Sequence, residues 1–165
     1  MKQEIQFVRD IPGFSGYSKF SCETAEEQEP FAMLQCLDNE DIGFIVANPF
    51  SFFPQYQIDL PNEVIMDLEI LRPEDVQVWG VITYRSSLVQ STINLQAPVI
   101  INTRNWKAIQ VVLNHSENLI RQPLLPIAQT DGLNPSGSLD INQLQGGNRD
   151  VSVNSQEGGV NTNRR

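Results

Sequence analysis

Short hydrophobic runs recur along the first 113 residues, and in several of them hydrophobic and polar residues alternate with a period of two. Such alternation predicts short β-strands with one face toward a core, because successive side chains of a strand point to opposite faces. In residues 17–22, for example, Phe20 and Cys22 share one face while polar side chains share the other. The pattern predicts eight or nine strands, in residues 4–10, 17–22, 31–37, 43–47, 56–60, 76–84, 91–96, 98–103 and 107–113.

Polar turns separate these runs at intervals of about 8–12 residues, which is typical of an all-β barrel or sandwich. Residues 38–41 predict the turn of one hairpin, and residues 104–106 predict the turn of another. Gly80 lies inside the longest run, where a glycine indicates a bulge or bend of the kind that a small closed sheet uses. The chain has no room for the crossover helices that a parallel α/β sheet needs.

One helix is predicted, in residues 61–68. Glu63 lies in its first turn, where the helix dipole favours an acid, and Val64, Ile65 and Leu68 are predicted to form one apolar face.

The composition changes after Leu125. Residues 126–165 contain no aromatic residue, and Asn, Gly, Ser and Gln make up half of them. Such a segment cannot bury enough apolar area to offset the ~1–2 kcal/mol that ordering each residue costs. We therefore predict an all-β fold: a small β-barrel-like single domain in residues 1–125 with one short helix, followed by a disordered C-terminal tail in residues 126–165.

Acidic residues are concentrated between Glu23 and Asp75. This segment holds thirteen acids against one base, Arg72, whereas the net charge of the whole chain is −9. Its field repels nucleic-acid phosphates and anionic membranes and attracts basic protein surfaces, so we expect a protein partner, no direct nucleic-acid binding and no membrane binding. A purely solubilising acidic surface is the alternative. No window approaches the ~18 apolar residues of a membrane span and the N-terminus lacks a signal-peptide layout, so we expect a cytoplasmic protein.

Groups suited to catalysis are scarce. The single histidine, His115, follows the last strong strand, and its position indicates a loop imidazole rather than a catalytic base. Cys22 and Cys36 lack the spacing of zinc and redox sites, and their apolar surroundings predict buried thiols. No glycine-rich loop joins a strand to a helix, so nucleotide phosphates have no cradle. We expect no enzymatic activity, no bound metal and no cofactor.

Residues 38–60 combine an acidic turn with a dense group of aromatic side chains. Five of the thirteen aromatic residues of the chain fall between Phe44 and Tyr56. Pro49 and Pro54 prevent one regular element from burying all of them. We expect part of this aromatic surface to lie beside the acids of the 38–41 turn, an arrangement that suggests a docking surface rather than a reaction centre.

Several short motifs occur in the order seen in a known protein family. In chain order they are Ile11-Pro-Gly-Phe14, Pro30-Phe31 with Leu34-Gln35, Phe44-Ile-Val-Ala-Asn-Pro-Phe50, Phe53-Pro54-x-Tyr56, Ala97-Pro-Val-Ile-Ile-Asn-Thr103, Gln110-Val-Val-Leu113 and Arg121-Gln-Pro-Leu124. On these motifs, residues 3–125 resemble the flagellar assembly factor FliW family. The Asn/Gly/Ser-rich tail departs from the compact family pattern, so no function is transferred to it.

The resemblance implies a β-barrel-like protein that is not an enzyme and that acts by binding proteins. FliW proteins bind flagellin in the cytoplasm, and alternatively they bind the translational regulator CsrA, a basic RNA-binding dimer. Once flagellin has been exported, free FliW captures CsrA and relieves its repression of flagellin translation. The resemblance thus implies flagellin and CsrA as partners of a chain that we expect to be a monomer when free.

Candidate interface residues follow from this resemblance and from the charge pattern. For CsrA we expect an acidic face made of Asp38, Glu40, Asp41, Glu63, Asp67, Glu69, Glu74 and Asp75. For flagellin we expect the anchors Phe50, Phe52 and Tyr56, because interface hot spots favour aromatic residues in desolvated pockets. The alternatives are that the acids are solvated turn residues and that the aromatics belong to the core. The alternative function is a generic acidic module that sequesters another basic protein.

Overall fold

Strands make up most of the computed structural model, which describes residues 1–26, 30–115 and 117–125. The strands are β1 (Lys2–Phe7), β2 (Lys19–Glu23), β3 (Phe31–Cys36), β4 (Gly43–Ala47), β5 (Val76–Thr83), β6 (Thr92–Asn102), β7 (Lys107–Gln110) and β8 (Gln122–Pro123). The described residues also form one α-helix, α1 (Asn62–Asp67), and two 3-10 turns, Pro49–Ser51 and Pro73–Asp75. The tail predicted for residues 126–165 lies outside the described residues.

Seven of the strands close into a barrel. β1 to β5 form a run of antiparallel neighbours, β5 pairs with β6, and β6 pairs with β7. The ring closes where β7 pairs in parallel with β1, through Gln6↔Lys107 and Phe7↔Ala108. β8 lies on the other edge of β6. Closure removes the long free edges that an open sheet would expose. The prediction of an all-β, barrel-like fold with one short helix is confirmed.

The period-two alternation places one set of side chains inside the barrel. On β3, Leu34 and Cys36 are buried in the interior cluster, and the register sets them opposite Phe44 of β4 and Phe20 of β2. Cys22 belongs to the same cluster, and burial raises the pKa of its thiol to about 11, so the thiol stays protonated at neutral pH. Both cysteines are buried and free, as the sequence predicts.

A single strand, β6, occupies the place of two predicted ones. Its first half packs Ile93 and Leu95 against a cluster on the outside of the barrel. Its second half places Val99 and Ile101 in the barrel interior. All four residues have odd numbers, so in a regular strand they would all lie on the same face. Because they lie on opposite sides of the barrel wall, the strand must exchange its inner and outer faces between Leu95 and Val99.

This exchange of faces has a local cause in a bulge. The pairing of β5 with β6 shifts opposite Gly80, where a Cβ atom would lie 2.6 Å from Cδ1 of Ile93. On the β6 side, Oδ1 of Asn94 accepts hydrogen bonds from the backbone N–H groups of Gln96 (3.0 Å) and Ala97 (2.9 Å). The bend predicted from Gly80 is therefore confirmed. Between the residue pairs on either side of the bulge, β6 contains more residues than β5.

Helix α1 packs on the outside of the barrel, close to the predicted residues 61–68. Its apolar face buries Val64 and Leu68 against Ile100 of β6 and Ile109 of β7. Glu63 lies in its first turn, as expected near the positive end of the helix dipole.

The strand predicted in residues 56–60 is wrong, because these residues form no strand. Ile58 and Leu60 pack beside the cluster under α1. The alternation of hydrophobic and polar residues therefore arises because alternate side chains are buried, although the segment pairs with no strand. Pro54 and Pro61 flank the segment, and each lacks the backbone N–H that a ladder would use.

Candidate protein-binding site

The turn between β3 and β4 presents three exposed carboxylates, those of Asp38, Glu40 and Asp41. Asn39 shapes the turn: its Oδ1 accepts the N–H of Asp41 at 2.9 Å, and its carbonyl accepts the N–H of Ile42 at 3.1 Å. Asparagine suits this place because its side chain closes a turn with the backbone two residues on. Among the described residues, no Lys or Arg nitrogen lies within 4.0 Å of these three carboxylates.

The two predicted acids of helix α1 face a base of the same chain. Nε and Nη2 of Arg9 donate to Oδ2 of Asp67 at 3.0 and 2.5 Å. The Arg9 guanidinium also lies 3.7 Å from Glu63. One positive charge thus offsets part of the field of this pair.

Glu69 follows the C-terminal end of α1 in a left-handed conformation, with φ of 56°. Its carboxylate accepts hydrogen bonds from Nζ of Lys107 at 2.5 Å and from Nδ2 of Asn105 at 3.0 Å. The hydrogen bond from Lys107, together with the positive charge of Lys107 and the hydrogen bond from Asn105, lowers the pKa of Glu69 below its usual range. The Glu69 carboxylate is therefore held in place by contacts within the chain.

Asp75 is the one buried member of the predicted acidic set. Nε and Nη2 of Arg72 each donate to its carboxylate at 3.2 Å, and Arg104 lies 3.9 Å away. The neighbouring Glu74 is exposed and lies 4.0 Å from Arg72. Asp75 and its partners therefore fasten the start of β5, and the Asp75 carboxylate is turned away from solvent.

The eight predicted acids fall into two groups in the structure. Five of them have a basic partner within the chain, whereas the three in the β3–β4 turn have none among the described residues. We call residues 38–41 the acidic turn. Its carboxylates are available to a partner without breaking a contact within the fold.

The predicted anchor Phe50 lies in the 3-10 turn that follows β4. Asn48 caps this turn, because its Oδ1 accepts the N–H of Phe50 at 3.0 Å. The Phe50 side chain is 43% exposed, and its ring centroid lies 5.6 Å from that of Tyr56. Phe50 is therefore the most accessible of the three predicted aromatic anchors.

Phe52 and Tyr56 are half-buried and pack against the outer cluster of β5 and β6. The Phe52 ring centroid lies 5.5 Å from that of Phe31. The Tyr56 hydroxyl donates to the carbonyl of Leu95 at 2.6 Å, and burial raises the pKa of the phenol to about 12. Both side chains contribute to the core around them.

The structure separates the predicted anchors from the acidic turn. The turn precedes β4 and the anchors follow it, so the strand Gly43–Ala47, about 15 Å long, lies between them. Two other aromatics lie near the turn: Tyr17, whose hydroxyl accepts from Nδ2 of Asn39 at 3.4 Å, and Phe44, three residues after Asp41. The expected juxtaposition of acids and aromatics therefore holds for Phe44 and not for the predicted anchors.

The structure also shows an apolar cavity that the sequence did not indicate. It opens at the same end of the barrel as the acidic turn, and its volume is about 120 Å³. Its rim includes Ile11, Pro12 and Phe14, from one of the motifs that carry the family resemblance. The Ile11-Pro-Gly-Phe14 motif predicts a turn. It does not indicate that the turn lies over the end of the barrel, because that position depends on contacts with residues distant in the sequence.

The described part of the chain contains no group of three or more His, Cys, Asp or Glu residues that could hold a metal ion. His115 lies beside Tyr56, with ring centroids 6.4 Å apart. Within residues 1–26, 30–115 and 117–125, no helix is long and apolar enough to cross a membrane.

Comparison with known proteins gives the family. The model of the FliW protein family matches residues 1–124. The flagellar assembly factor FliW of Bacillus pumilus (strain SAFR-032) is 44% identical over 115 residues, which cover 70% of this chain and 80% of that protein. The flagellar assembly factor FliW of Bacillus licheniformis is 41% identical over 122 residues, covering 74% of this chain and 85% of that protein.

The fold agrees with this match. A crystal structure of the flagellar assembly factor FliW is similar to this chain with a TM-score of 0.69 and 32% sequence identity, and the match covers 74% of this chain and 86% of that one. The chain belongs to the FliW family.

Proposed function

We propose that this chain is a cytoplasmic, non-enzymatic flagellar assembly factor that binds flagellin and, when free of flagellin, binds the translational regulator CsrA. The match to the FliW family across residues 1–124 supports this proposal. In this role the chain couples flagellin synthesis to flagellin export. While flagellin occupies the chain, CsrA is free to repress flagellin translation, and export of flagellin frees the chain to remove CsrA.

One structural observation supports a basic partner in particular. The acidic turn presents three exposed carboxylates that have no Lys or Arg partner among the described residues. Unpaired charges on a rigid hairpin attract an opposite charge at long range and do not first have to leave an internal partner. CsrA, as a basic dimer, has the complementary charge.

A titration tests the proposed function. Purified flagellin is added to a preformed complex of this chain with CsrA, and the free CsrA is measured by its binding to a labelled flagellin leader RNA. Release of CsrA in step with flagellin is the expected result. A chain that binds neither protein, or one that holds both at once without release, contradicts the proposal.

The alternative is a generic acidic module that sequesters another basic protein. The same acidic turn would serve that role, so identification of the bound proteins separates the two. Affinity capture from flagellated cells should recover flagellin and CsrA if the first proposal is correct. Recovery of other basic proteins without these two favours the alternative.

A further inference from the structure

The apolar cavity at the mouth of the barrel opens to solvent. Pro12 on its rim is exposed, and Phe14, Phe44, Val81 and Gln110 around it are half-buried. Its floor is made by buried residues of the barrel interior. Among the described residues, the cavity therefore has an accessible opening and an apolar interior.

The rim has a defined shape. Ile11 and Phe14 form a β-bridge, and the N–H of Phe14 donates to the carbonyl of Ile11 at 2.8 Å. Gly13 between them has φ of 87°, which a side chain would strain. The Phe14 ring meets that of Phe44 edge-to-face at 5.2 Å, which holds the turn against the barrel.

The size of the cavity favours an aliphatic occupant. An enclosed apolar cavity of about 150 Å³ accepts benzene. The present cavity, at about 120 Å³, is smaller. It suits the side chain of Leu, Ile or Met better than an aromatic ring.

The charges around the cavity indicate what should flank that side chain. Asp41 ends the acidic turn three residues before Phe44, a distance of roughly 10 Å along the strand. Asp10 directly precedes Ile11 on the rim and is exposed. With Asp38 and Glu40, four exposed acids lie at this end of the barrel against three bases. The bases are Lys19, Arg85 and Arg9, and Arg9 is already paired with Asp67.

Exposed apolar side chains are also present in the loops at this end of the barrel. Five of the ten exposed large hydrophobic residues among the described residues lie in these loops, namely Val8, Leu37, Tyr84, Val89 and Val112. A partner that covers the cavity mouth would remove part of this apolar surface from water.

We propose that the cavity receives one aliphatic side chain from a partner segment in which Lys or Arg residues lie close to that side chain. This rests on the proposed function only in requiring a basic protein partner, and it adds where that partner binds and what it inserts. The aliphatic side chain fills a desolvated pocket, as interface hot spots do, and the acidic rim pairs with its basic neighbours. The apolar loops around the mouth then cover the contact.

The test begins with a library of short random peptides selected on the immobilised full chain. We expect enrichment of peptides with Leu, Ile or Met at one position and Lys or Arg within a few residues of it. The tightest peptide is then labelled, and its Kd is measured by fluorescence anisotropy. Replacing its aliphatic residue by Ser should weaken binding about tenfold or more.

Variants of the chain locate the binding. Val81→Phe adds volume inside the cavity and should weaken the peptide about tenfold. Leu71→Phe, which adds a ring at an exposed position away from the cavity, should leave the Kd unchanged. Glu40→Lys with Asp41→Lys should weaken the peptide as well, and more strongly at low salt.

A second measurement covers the case in which Val81→Phe does not fold. In the unmodified chain, methyl groups of Val81 and Ile11 should show NMR cross-relaxation with the aliphatic side chain of the bound peptide. Absence of an aliphatic-basic motif from the selected peptides overturns the inference. So does equal binding of the peptide by the chain and a folded Val81→Phe variant, or absence of cross-relaxation at the cavity.

These outcomes are separate from those of the proposed function. If the chain releases CsrA to flagellin while the peptide experiments fail, the cavity inference alone is wrong. If the chain binds neither flagellin nor CsrA but selects aliphatic-basic peptides at the cavity, the inference stands and the named partners are wrong.

Discussion

Asn102 shows how one buried amide can join three elements. Its Nδ2 donates to the carbonyls of Leu68 at 2.8 Å and Glu69 at 3.2 Å, where helix α1 ends. Its Oδ1 accepts the N–H of Arg104 at 2.9 Å in the β6–β7 turn. The residue is fully buried, so water cannot replace these contacts. Asn102 thus fixes the helix end against the end of β6.

Replacing Asn102 by Ala should lower the free energy of unfolding by about 2–3 kcal/mol, because it leaves buried backbone groups without partners. Urea denaturation measures the loss. Asn105→Ala is the matched control, since Asn105 also donates to the Leu68 carbonyl, at 3.1 Å, but is exposed. Equal losses in the two variants would contradict the role given to burial.

Phe50 and Phe52 provide a matched pair for testing the flagellin contact. Phe50→Ala should weaken flagellin binding and leave the melting temperature nearly unchanged, because the ring is 43% exposed. Phe52→Ala should lower the free energy of unfolding, by up to about 3 kcal/mol, because this half-buried ring packs on Phe31. Binding is measured by calorimetry and stability by thermal melting. Full flagellin binding by Phe50→Ala would remove Phe50 from the interface.

The Glu69 carboxylate makes part of the stability depend on pH. Its hydrogen bond to Lys107 lowers its pKa in the folded chain below the usual 4.5. The ionised Glu69 carboxylate therefore stabilises the folded chain at a pH above the pKa that Glu69 has in the unfolded chain. This stabilisation is lost as the pH falls through the pKa that Glu69 has in the folded chain. Glu69→Gln should lower the melting temperature at neutral pH, and the difference from the parent chain should vanish in acid. A difference that persists unchanged in acid would assign the effect to packing.

At the scale of elements, the bulge between β5 and β6 decides which residues of β6 face the barrel. It brings the backbone of Gly80 against the side chain of Ile93. Ile93 is fully buried, and the Asn94 carbonyl lies 3.4 Å from the place of a Gly80 Cβ. The glycine is therefore required by the close approach of the two strands.

Gly80→Ala should lower the free energy of unfolding by about 1–3 kcal/mol through overpacking. A double-mutant cycle with Ile93→Ala tests the cause. Because Ile93→Ala removes the two atoms that the new Cβ would approach within 3.0 Å, Cδ1 and Cγ1 of Ile93, the double variant should be more stable than the sum of the single losses implies. Simple additivity would place the strain elsewhere.

Elements with one buried face could be predicted from the sequence, and those shaped by distant contacts could not. The β3–β4 hairpin and helix α1 have a local pattern, and the structure places them within a few residues of their predicted bounds. The alternation in residues 56–60 was equally clear, yet those side chains pack without a ladder. The single strand β6 was divided in the prediction because its bulge reverses the alternation.

The same distinction between local patterns and long-range contacts applies to the candidate site. The acidic turn could be found from its composition, because a polar turn between two apolar runs is a local feature. Whether an acid is free depends on which base the fold brings to it. Asp67 meets Arg9 across 58 residues, and Lys107 meets Glu69 across 38. No local pattern indicates such pairs.

At the scale of the whole molecule, the net charge and the position of the charge have different effects. Glu40→Lys with Asp41→Lys should slow association with CsrA by about tenfold at low ionic strength and weaken its salt dependence. Stopped-flow fluorescence measures both. The control is Glu26→Lys with Asp59→Lys, which changes two exposed acids elsewhere by the same total charge. Equal slowing in the two variants would mean that net charge acts and the acidic turn does not.

The parallel contact between β1 and β7 has a consequence for the growing chain. Gln6 and Phe7 cannot form this pairing until Lys107 and Ala108, about 100 residues later in the chain, have been synthesised. At ribosomal rates of about 5–20 residues per second, the outer edge of β1 stays unpaired for roughly 5–20 seconds of synthesis. Lys2 and Glu4 are exposed on that strand, and charged side chains discourage pairing with other nascent chains. The ring can close only after nearly the whole domain has left the ribosome.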